Sequence, residues 1–313
     1  MSHNFSALPA RLWAWLTNDP SRIAGLSADE RERLDPVRTA AFLAVHGAVL
    51  GVLWVGVSPA AVLVAMLLYV LRMFFITAFY HRYFAHKSFQ AGRWTAFVMG
   101  ALGCTAAQRG PLWWAGHHRA HHQHSDTGED PHSPAHRGML WAHTLWFLTR
   151  GSFAVPERRV RDWQRHPELV WLDRFDWVPF VLMLCGLYAF GAWTQVHQPG
   201  WGTNGVQMVV WGGFVSTVVL YHATYTINSL AHRFGRRRFA TADDSRNNVW
   251  LALLTLGEGW HNNHHRYPLA ARQGFYWWEL DLSYLGLRAL KALGVVSDLR
   301  PVPRSILEEG RGT

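Results

Sequence analysis

The sequence predicts an all-α integral membrane protein, with four transmembrane helices in two hairpins and a histidine-rich helical cap on the cytoplasmic side. Three observations predict this class: four long apolar stretches, basic residues that avoid the links within each pair, and histidines grouped near the ends of the stretches. Half of the 313 residues are apolar, yet the mean hydropathy is −0.04, because apolar stretches alternate with segments rich in arginine and histidine. Such unevenness is typical of a membrane protein with substantial polar parts outside the bilayer.

Four stretches have the length and composition of membrane spans. A helix needs about 20 apolar residues to cross a hydrocarbon core of about 30 Å. The first pair is joined only by Ser58 and Pro59, which leaves room for a tight helical hairpin, and the second pair is joined through QVHQPGWGTNG. A soluble protein with buried helices is the alternative interpretation. The predicted spans cover residues 39–57, 60–80, 178–194 and 206–227.

The basic residues predict the orientation of these spans. Of the 30 lysines and arginines, the two hairpin links contain none. The N-terminal arm contains five, residues 81–177 contain twelve and residues 228–313 contain twelve. By the positive-inside rule, these three portions and both termini face the cytoplasm. The net charge of +9 therefore indicates anionic lipid headgroups or an acidic substrate as partners, and no nucleic acid.

Cysteine usage narrows the chemistry. The two cysteines, Cys104 and Cys185, each lie inside an apolar stretch. This usage argues against a disulfide framework and against zinc or iron–sulfur sites built on thiolates. The N-terminus lacks a basic start followed by an apolar run, so we expect no cleaved signal peptide.

Histidines cluster in four places, all on the predicted cytoplasmic side. The motif HxxHH occurs twice, in HHRAHH and in GWHNNHH, while HRYFAH and NSLAHRF supply three more histidines. Positions i, i+3 and i+4 project from one face of a helix, so each HxxHH is expected to aim three imidazoles at one point. The interval of five between His81 and His86 does not do this on a regular helix, and it requires a helix end or two different metals. The nine candidate ligands are His81, His86, His118, His121, His122, His232, His261, His264 and His265.

The number of these histidines predicts a centre with two metal ions. Nine buried imidazoles without metal would leave many polar nitrogens unpartnered, whereas metal ligation turns them into binding energy. Zinc sites rarely need more than four ligands, and nine suit two ions with four or five nitrogens each. Imidazole accepts zinc, copper, iron or nickel, so the ligand type alone leaves the metal open. A pair of redox-active ions beside a membrane suits oxygen chemistry on a lipid chain.

These motifs, in this order, resemble the membrane fatty-acid desaturases of the stearoyl-CoA (delta-9) desaturase family, in its bacterial branch. The resemblance covers about residues 60–285 and rests on ITAFYHRYFAHKSF, GHHRAHHQHSDTGEDPHSP, INSLAHRFG and GEGWHNNHHRYP. It implies a di-iron site with the nine histidines as ligands, and with Asn228, one turn before His232, reaching one iron through water. It divides the chain into a cytoplasmic N-terminal arm (1–38), a fatty-acid desaturase domain (39–285) and a C-terminal tail (286–313).

The resemblance also implies an activity and its partners. O2 and the di-iron centre would remove two hydrogens from adjacent methylenes of a saturated acyl chain, leaving a cis double bond at delta-9. The acyl chain would be carried by coenzyme A or by a membrane lipid, and the location would be the bacterial inner membrane. Two electrons are needed, and the chain has neither the cysteines for a ferredoxin or rubredoxin centre nor a fused cytochrome module. A separate carrier, of the ferredoxin, rubredoxin or cytochrome type with its reductase, is therefore expected.

Two other functions stay open from the sequence. Related histidine boxes serve the hydroxylation of alkanes, sterols or carotenoids, so a di-iron membrane hydroxylase is one alternative. A metal-binding transporter is the other. Transport calls for polar and acidic groups through the bilayer, but the four predicted spans contain no aspartate or glutamate.

The resemblance also implies that the helix before the first histidine motif determines the length of the acyl chain that the protein accepts. In the family, the residue twelve positions before the first histidine closes the substrate tunnel, and here that residue is Tyr69. Met73, one turn nearer the metals, would also line the tunnel, although ordinary helix packing is the alternative. Arg158 and Arg159 are candidates for binding the phosphates of a coenzyme A or phospholipid headgroup, or they simply flank the membrane.

Four polar residues are expected to hold the ligating imidazoles in position through their free N–H groups. Asp126 and Asp130 follow the second histidine motif, and Glu258 precedes the last one. His117 falls where the family often has an acidic residue, so we expect it beside the ligands rather than among them. A solvated loop is the alternative interpretation of the acidic residues after the second motif.

Overall fold

The computed structural model describes residues 13–312, which are mostly helical. Strands β1 (Gln90–Ala91) and β2 (Val296–Ser297) pair antiparallel. Short 3-10 or π-helical turns outside the numbered helices occupy Pro20–Ile23, Trp141–Leu145, Trp146–Leu148, Gly151–Phe153, Glu157–Arg159 and Pro199–Trp201. The helices are α1 (Ala28–Glu32), α2 (Pro36–Val55), α3 (Pro59–Ala85), α4 (Arg93–Cys104), α5 (Pro111–His124), α6 (Pro134–Arg137), α7 (Arg161–Gln164), α8 (Pro167–Arg174), α9 (Val178–His197), α10 (Gly205–His232), α11 (Val249–Leu254), α12 (His261–Arg266), α13 (Leu282–Ala292) and α14 (Arg304–Glu309).

Helices α2, α3, α9 and α10 are long and apolar enough to cross a membrane, so the described residues contain four candidate spans where the sequence predicts them. They contain 20, 27, 20 and 28 residues, respectively. Helices α3 and α10 run further than predicted, to Ala85 and His232, so each carries a predicted metal ligand near its C-terminal end. Of these four helices, α2 is the least buried by the rest of the protein and α10 is the most buried. The first twelve residues of the predicted N-terminal arm lie outside the described residues.

Polar side chains hold the short link between α2 and α3. Gly56 has a φ of 65°, a left-handed conformation that glycine adopts without strain. Ser58 caps α3 by accepting a hydrogen bond from the backbone N–H of Ala61. The Ser58 hydroxyl also donates to the side-chain oxygen of Gln207, in the first turn of α10, at 2.7 Å. The link is therefore tied to the start of the fourth span.

Arg72 is a buried cation between α3 and α10. Its Nη1 donates to the Thr217 hydroxyl at 2.6 Å and to the carbonyl of Thr105 at 3.1 Å, and its Nη2 donates to the Ser216 hydroxyl. A charge at this depth is costly unless its donors are satisfied. These neutral acceptors satisfy the donors of Arg72. The same bonds connect the end of α4 to the two longest spans.

Helix α5, which carries HxxHH, is positioned by Asp173 of α8. The carboxylate of Asp173 accepts from the backbone N–H groups of Leu112 and Trp113 at 3.0 and 2.9 Å. It thereby caps the first turn of α5 from a distant part of the chain. Burial raises the pKa of Asp173 to about 7, although the N–H of Trp113 lowers it. The main apolar core surrounds this junction, where the end of α3 packs against α4 and α5.

Candidate metal centre

Nine imidazoles lie together where the C-terminal ends of α3 and α10 meet α5 and α12. They form two groups, and within each group one nitrogen from every ring lies within 4.8 Å of the others. The five-histidine group contains His81, His86, His118, His122 and His264, and the four-histidine group contains His121, His232, His261 and His265. The structure therefore brings together all nine of the histidines that the sequence singles out.

A π-helix brings His81 and His86 into the same group. Residues Phe75–Ala85 at the end of α3 are π-helical, and the N–H of His86 donates to the carbonyl of His81 at 3.2 Å. In a π-helix the hydrogen bond joins positions i and i+5, so residues five apart lie on one face. Of the two alternatives that the interval of five left open, the structure shows the helix end, because His86 caps the π-helical segment and shares one group with His81. Such π-helical stretches are frequent at functional sites.

Each HxxHH motif divides its histidines between the two groups, so the prediction that each aims three imidazoles at one point is wrong. In α5, the first and last histidines of the motif belong to the five-histidine group, and His121 belongs to the other. In α12 the division is reversed, and His264 alone joins the five-histidine group. Adjacent residues on an α-helix differ by about 100° in direction, so positions i+3 and i+4 diverge toward separate points.

Carboxylates fix the tautomers of four of these imidazoles. A carboxylate accepts the single proton of a neutral imidazole, so a ring bonded through Nδ1 presents the lone pair of Nε2. In all four pairs the carboxylate faces Nδ1, which leaves Nε2 free for a metal. The pairs are Asp126 with His232 at 2.7 Å, Asp130 with His121 at 3.0 Å, Asp243 with His265 at 2.7 Å, and Glu258 with His81.

The Nε2 atoms of the rings converge on one another. Those of His232 and His261 lie 3.0 Å apart. The Nε2 of His264 lies 3.0 Å from that of His81 and 2.9 Å from that of His122. A single proton on His264 satisfies only one of these two contacts, and the lone pairs that remain repel. A cation among the nitrogens removes this repulsion, so the donor set fits bound metal ions.

Unpartnered nitrogens support the same interpretation. Within residues 13–312, His265 Nε2 and His261 Nδ1 are buried and have no hydrogen-bond partner. Burying a polar atom without a partner is costly. His265 Nε2 points away from its carboxylate partner, Asp243, and a metal ligated there would satisfy it. Imidazole ligands and this number of donors suit a pair of transition-metal ions.

The protonation states suit metal ligation. Although burial raises the pKa of Asp126, its hydrogen bond from His232 lowers it to about 2. Burial also raises the pKa of Glu258, and the charges of His81 and Arg82 lower it to about 2. Burial lowers the pKa of His265 to about 4, although Asp243 raises it. At neutral pH the carboxylates are ionised and His265 is neutral, as metal binding requires.

Glu258 is itself held by residues that the sequence did not single out. Arg82 Nη2 donates to Glu258 at 2.9 Å, and Gln273 Nε2 donates to the other oxygen of Glu258 at 2.9 Å. Arg82 also pairs with Asp281 at 3.0 Å. All four residues are at least 95% buried. Because these residues lie far apart in the chain, only the fold reveals the network.

Asp243 is the other residue that sequence reasoning missed. It lies 2.7 Å from His265 and is separated from it by 21 intervening residues in the chain. Its oxygens also accept from the backbone N–H of Ser245 at 3.0 Å and from the Thr241 hydroxyl at 3.0 Å. The only local signal is a pair of adjacent aspartates in a loop between two histidine motifs. That signal does not distinguish Asp243 from Asp244.

A third cluster shares a member with the four-histidine group. Ligand atoms of His121, Asp130 and His132 lie within 4.8 Å of one another. Asp130 accepts from His121 Nδ1, however, and the rings of His121 and His132 stack at 4.2 Å between centroids. His121 therefore uses one nitrogen for Asp130 and presents the other to the four-histidine group. His132 lines the large cavity described next.

Two cavities meet at the histidines. A large cavity of about 270 Å³ and a smaller one of about 40 Å³ share four lining residues: Trp114, His118, Thr224 and Asn228. The smaller cavity continues past His81 and His261 toward Met73 and Thr77. Most of the surface of both is apolar. An extended chain that enters the large cavity would pass the two histidine groups and end in the smaller cavity.

The remaining predicted site residues lie as follows. Met73 lines the smaller cavity, whereas Tyr69 lines neither cavity and donates its hydroxyl to the carbonyl of Leu254 at 2.5 Å. His117 lines the large cavity, and its Nε2 lies 3.2 Å from the carbonyl of Ala154. Burial lowers the pKa of His117 to about 3. Arg158 is exposed, Arg159 bonds to Gln123, and neither residue lines either of these two cavities.

Comparison with known proteins places the chain in a family. The model of the fatty acid desaturase family matches residues 57–292. This chain belongs to the fatty acid desaturase family. It is therefore an oxidoreductase, and the resemblance found in its histidine motifs is confirmed at the level of the family.

Curated relatives match nearly the whole chain. The sn-1 stearoyl-lipid 9-desaturase of Anabaena variabilis is 36% identical over 279 residues, which cover 88% of this chain and 97% of the relative. The corresponding enzyme of Synechocystis is 35% identical and covers 91% and 86%. Delta-9 acyl-lipid desaturase 1 of Arabidopsis thaliana is 35% identical and covers 86% and 84%. Their names specify acyl groups on lipids, so they support the stearoyl-CoA part of the resemblance less than the desaturase part.

Proposed function

We propose that this protein is an O2-dependent desaturase that introduces a cis double bond at delta-9 of a saturated acyl chain carried by a membrane lipid. The observation that carries the proposal is the convergence of nine imidazoles where two apolar cavities meet. Relatives named as stearoyl-lipid and palmitoyl-lipid 9-desaturases, 36% and 38% identical to this chain, support the substrate class and the position. Acyl-CoA is the competing carrier.

In this proposal the nine histidines hold two iron ions, and Asn228 reaches one of them through water. The iron pair, when bound, supplies the activation of O2 and the oxidation of the hydrocarbon. Overall, O2 would take up the two hydrogens from adjacent methylenes together with two external electrons and two protons, giving one carbon–carbon double bond and two water molecules. The carboxylates keep the Nδ1 protons in place, so that the Nε2 atoms stay directed inward.

The cavities perform the positioning that the reaction demands. Every methylene of a saturated chain is chemically alike, so the protein selects one pair by holding the chain in a fixed register. Trp114, Ile76 and Ile227 supply apolar walls beside the histidines. These walls also exclude bulk water from the oxidising centre. Met73 and Tyr69 are proposed to set the depth available to the methyl end.

The setting follows from the charge distribution. Helices α2 with α3, and α9 with α10, form the two proposed hairpins, and the basic portions face the cytoplasm of a bacterial inner membrane. The histidine groups then form a cap at the cytoplasmic ends of α3 and α10. Electrons come from a separate ferredoxin, rubredoxin or cytochrome-type donor with its reductase. The two free cysteines, Cys104 and Cys185, are too few to hold an iron–sulfur cluster.

Expression in a host without its own desaturase, together with a donor and reductase, tests the proposal. Lipid classes are separated, and the position of each double bond is determined by mass spectrometry. We expect cis delta-9 monounsaturated chains in the glycerolipids. His264→Ala removes a ligand and should abolish the product. His124→Ala is the matched control, because His124 lies on the same helix as HxxHH, in neither group, and pairs with Glu129 at 2.9 Å.

Three results would contradict the proposal. If the wild-type protein, with donor present, forms only saturated lipids, the protein is not a desaturase. An alcohol in place of an alkene would indicate hydroxylation. Unsaturation that appears first in the acyl-CoA pool, and only later in lipids, would replace the lipid by coenzyme A as the carrier.

A further inference from the structure

The mouth of the large cavity contains a buried cation without a carboxylate partner. Arg38, in the first turn of α2, lines this cavity and is 8% exposed. Its Nη1 donates only at long distance, to the carbonyl of Thr149 at 3.4 Å and to the Ser152 hydroxyl at 3.5 Å. Among residues 13–312, neither its Nε nor its Nη2 has an acceptor, and no carboxylate oxygen lies within 4.0 Å of the guanidinium.

The surrounding charges leave a positive excess at this point. The guanidinium carbons of Arg22, Arg38 and Arg109 all lie over the ring of Phe153, at 4.5, 5.5 and 5.2 Å from its centroid. Two carboxylates accompany these three cations. Asp35 pairs with Arg22 at 3.1 Å and Asp176 pairs with Arg109 at 3.3 Å. Arg38 is the cation left over, and an unpaired buried charge is costly unless a ligand compensates it.

Residues near the N-terminus cover this cationic mouth. Asn18 lines the cavity, accepts from Arg109 Nη1 at 2.6 Å and donates to the carbonyl of Asp173 at 3.0 Å. The indole N–H of Trp177 donates to the carbonyl of Leu16 at 2.8 Å. These bonds hold Leu16 and Asn18 beside the cavity, next to Trp177 and Arg109. Arg38 is thus directed toward the cavity rather than toward open solvent.

The rim of the cavity lies between the first and third spans. Ala41 of α2 lines the cavity and is exposed, and Trp177, just before α9, lines it and is 39% exposed. Val45 and Phe180 continue the apolar rim along the same two helices. Both helices are candidate membrane spans. An acyl chain still attached to a lipid in the bilayer can reach the cavity between them.

We infer that Arg38 binds an oxygen of the glycerol ester, or of the adjacent phosphate, of a membrane lipid whose acyl chain enters between α2 and α9. This inference rests on the proposed function and names the residue that recognises its substrate. Guanidinium groups form strong charge-assisted bonds to such oxygens. The ester end is then fixed at the mouth while the chain passes the histidines, so Arg38 determines which methylenes, counted from the carboxyl end, reach the metal centre.

Binding is measured first, independently of turnover. Quenching of tryptophan fluorescence, to which the Trp113 ring beneath Arg38 contributes, reports the Kd of the purified full-length protein at fixed detergent concentration. The probes are 1-stearoyl-lysophosphatidylglycerol, which has an ester and a phosphate, and 1-monostearoylglycerol, which has the ester alone. We expect Arg38→Gln to weaken binding by about tenfold or more, as the loss of charge-assisted bonds implies. Arg38→Lys, which keeps the charge, should weaken binding less.

The two probes distinguish the two sources of oxygen. A loss confined to the lysophospholipid assigns the contact to phosphate, and an equal loss for both probes assigns it to the ester, and either result supports the inference. Unchanged Kd values for both probes would overturn it. Arg165→Gln is the matched control, because Arg165 is exposed and lines neither cavity. An unchanged metal content of each variant shows that the histidine groups still form.

Product analysis then tests whether Arg38 determines the position of the double bond along the acyl chain. In the desaturase-free host, Arg38→Gln should spread the double bond over positions neighbouring that of wild type, while Arg165→Gln should keep one position. A variant with wild-type Kd and a single wild-type position overturns the inference and leaves the proposed function intact. Wild type that binds both probes through Arg38 but forms no alkene overturns the proposed function and leaves the lipid site.

Discussion

The two histidine groups lie side by side but differ in the carboxylates behind them. Three of the four rings in the four-histidine group face an aspartate through Nδ1. In the five-histidine group only His81 faces a carboxylate, that of Glu258, and within the described residues none lies within 4.0 Å of the other four rings. The four-histidine group thus combines fewer imidazoles with more negative charge.

This difference implies that two metal ions held by these groups would not be equivalent. A carboxylate bonded to the far nitrogen makes an imidazole a more basic ligand. Three nearby negative charges also favour a more positive ion, because buried charges are weakly screened. We therefore expect the four-histidine group to stabilise the higher oxidation state more strongly. The five-histidine group has fewer carboxylates and offers one more imidazole, which is a neutral ligand.

Loss of a ligand should give the largest effect and should be specific to one group. His232→Ala should remove the ion of the four-histidine group, and His86→Ala should remove the ion of the five-histidine group. Each variant should bind about one iron ion rather than about two, and should lose turnover by about 100-fold or more. Metal analysis of purified protein and product analysis measure both quantities. Loss of both ions from either variant would show that the groups are one cooperative site.

Loss of a carboxylate should give a smaller, graded effect. Asp243→Asn should weaken metal binding or turnover by about 10–100-fold, through the four-histidine group. Glu258→Gln should act through the five-histidine group. The control for the first is Asp244→Asn, because the side chain of Asp244 is 45% exposed and contacts no predicted ligand. Equal sensitivity of both metal ions to Asp243→Asn would remove the proposed difference between the groups.

A perturbation of α5 should affect both groups equally, since this helix supplies histidines to each. Burial raises the pKa of Asp173, at the start of α5, from 3.8 to about 7. The folded protein keeps this proton to a higher pH than the unfolded chain does, so the stability it contributes is complete below about pH 4 and is lost as the pH rises through about 7. Between pH 5 and pH 8, wild type should lose on the order of 2 kcal/mol more stability than Asp173→Asn.

Chemical denaturation of the two proteins in detergent at both pH values measures this difference. Asn retains an acceptor oxygen for the N–H groups of α5, so the variant is expected to fold. Identical pH profiles would show that Asp173 is ionised in the folded protein at pH 5.

The cavity floor should give the smallest effect and leave both groups intact. Met73 lines the smaller cavity and Tyr69 does not. Met73→Ala should shift the product ratio severalfold toward longer chains, because it deepens the space for the methyl end, and Tyr69→Ala should shift it less. Gas chromatography of fatty acid methyl esters measures the ratio, with iron content as the control. A larger shift for Tyr69→Ala would place the floor beyond the smaller cavity.

The sequence predicts the parts of this molecule that depend on local pattern. The four spans follow from apolar length, and the nine histidines stand out because they lie in four short motifs, two of which are HxxHH. Asp126, Asp130 and Glu258 lie within nine residues of a histidine motif, so sequence reasoning can single them out. Only Asp130 bonds a histidine of the neighbouring motif, whereas Asp126 and Glu258 bond His232 and His81 in distant segments.

What the sequence does not predict depends on packing between distant segments. The π-helix that unites His81 with His86 has no local signature. The partnership of Asp243 with His265 arises because a loop folds back over α12. In the sequence, Arg38 is one of several basic residues beside a span. Its lack of short hydrogen bonds to acceptors is a property of the folded structure. The division of each HxxHH between the two groups likewise depends on how the helices that carry the histidines pack together.

The most direct test of two separate metal sites is a crystal structure of the iron-loaded protein with anomalous data collected on both sides of the iron edge. We expect two anomalous peaks, one among the five histidines and one among the four. A single peak, a peak within the cluster of His121, Asp130 and His132, or no peak after iron loading would contradict it.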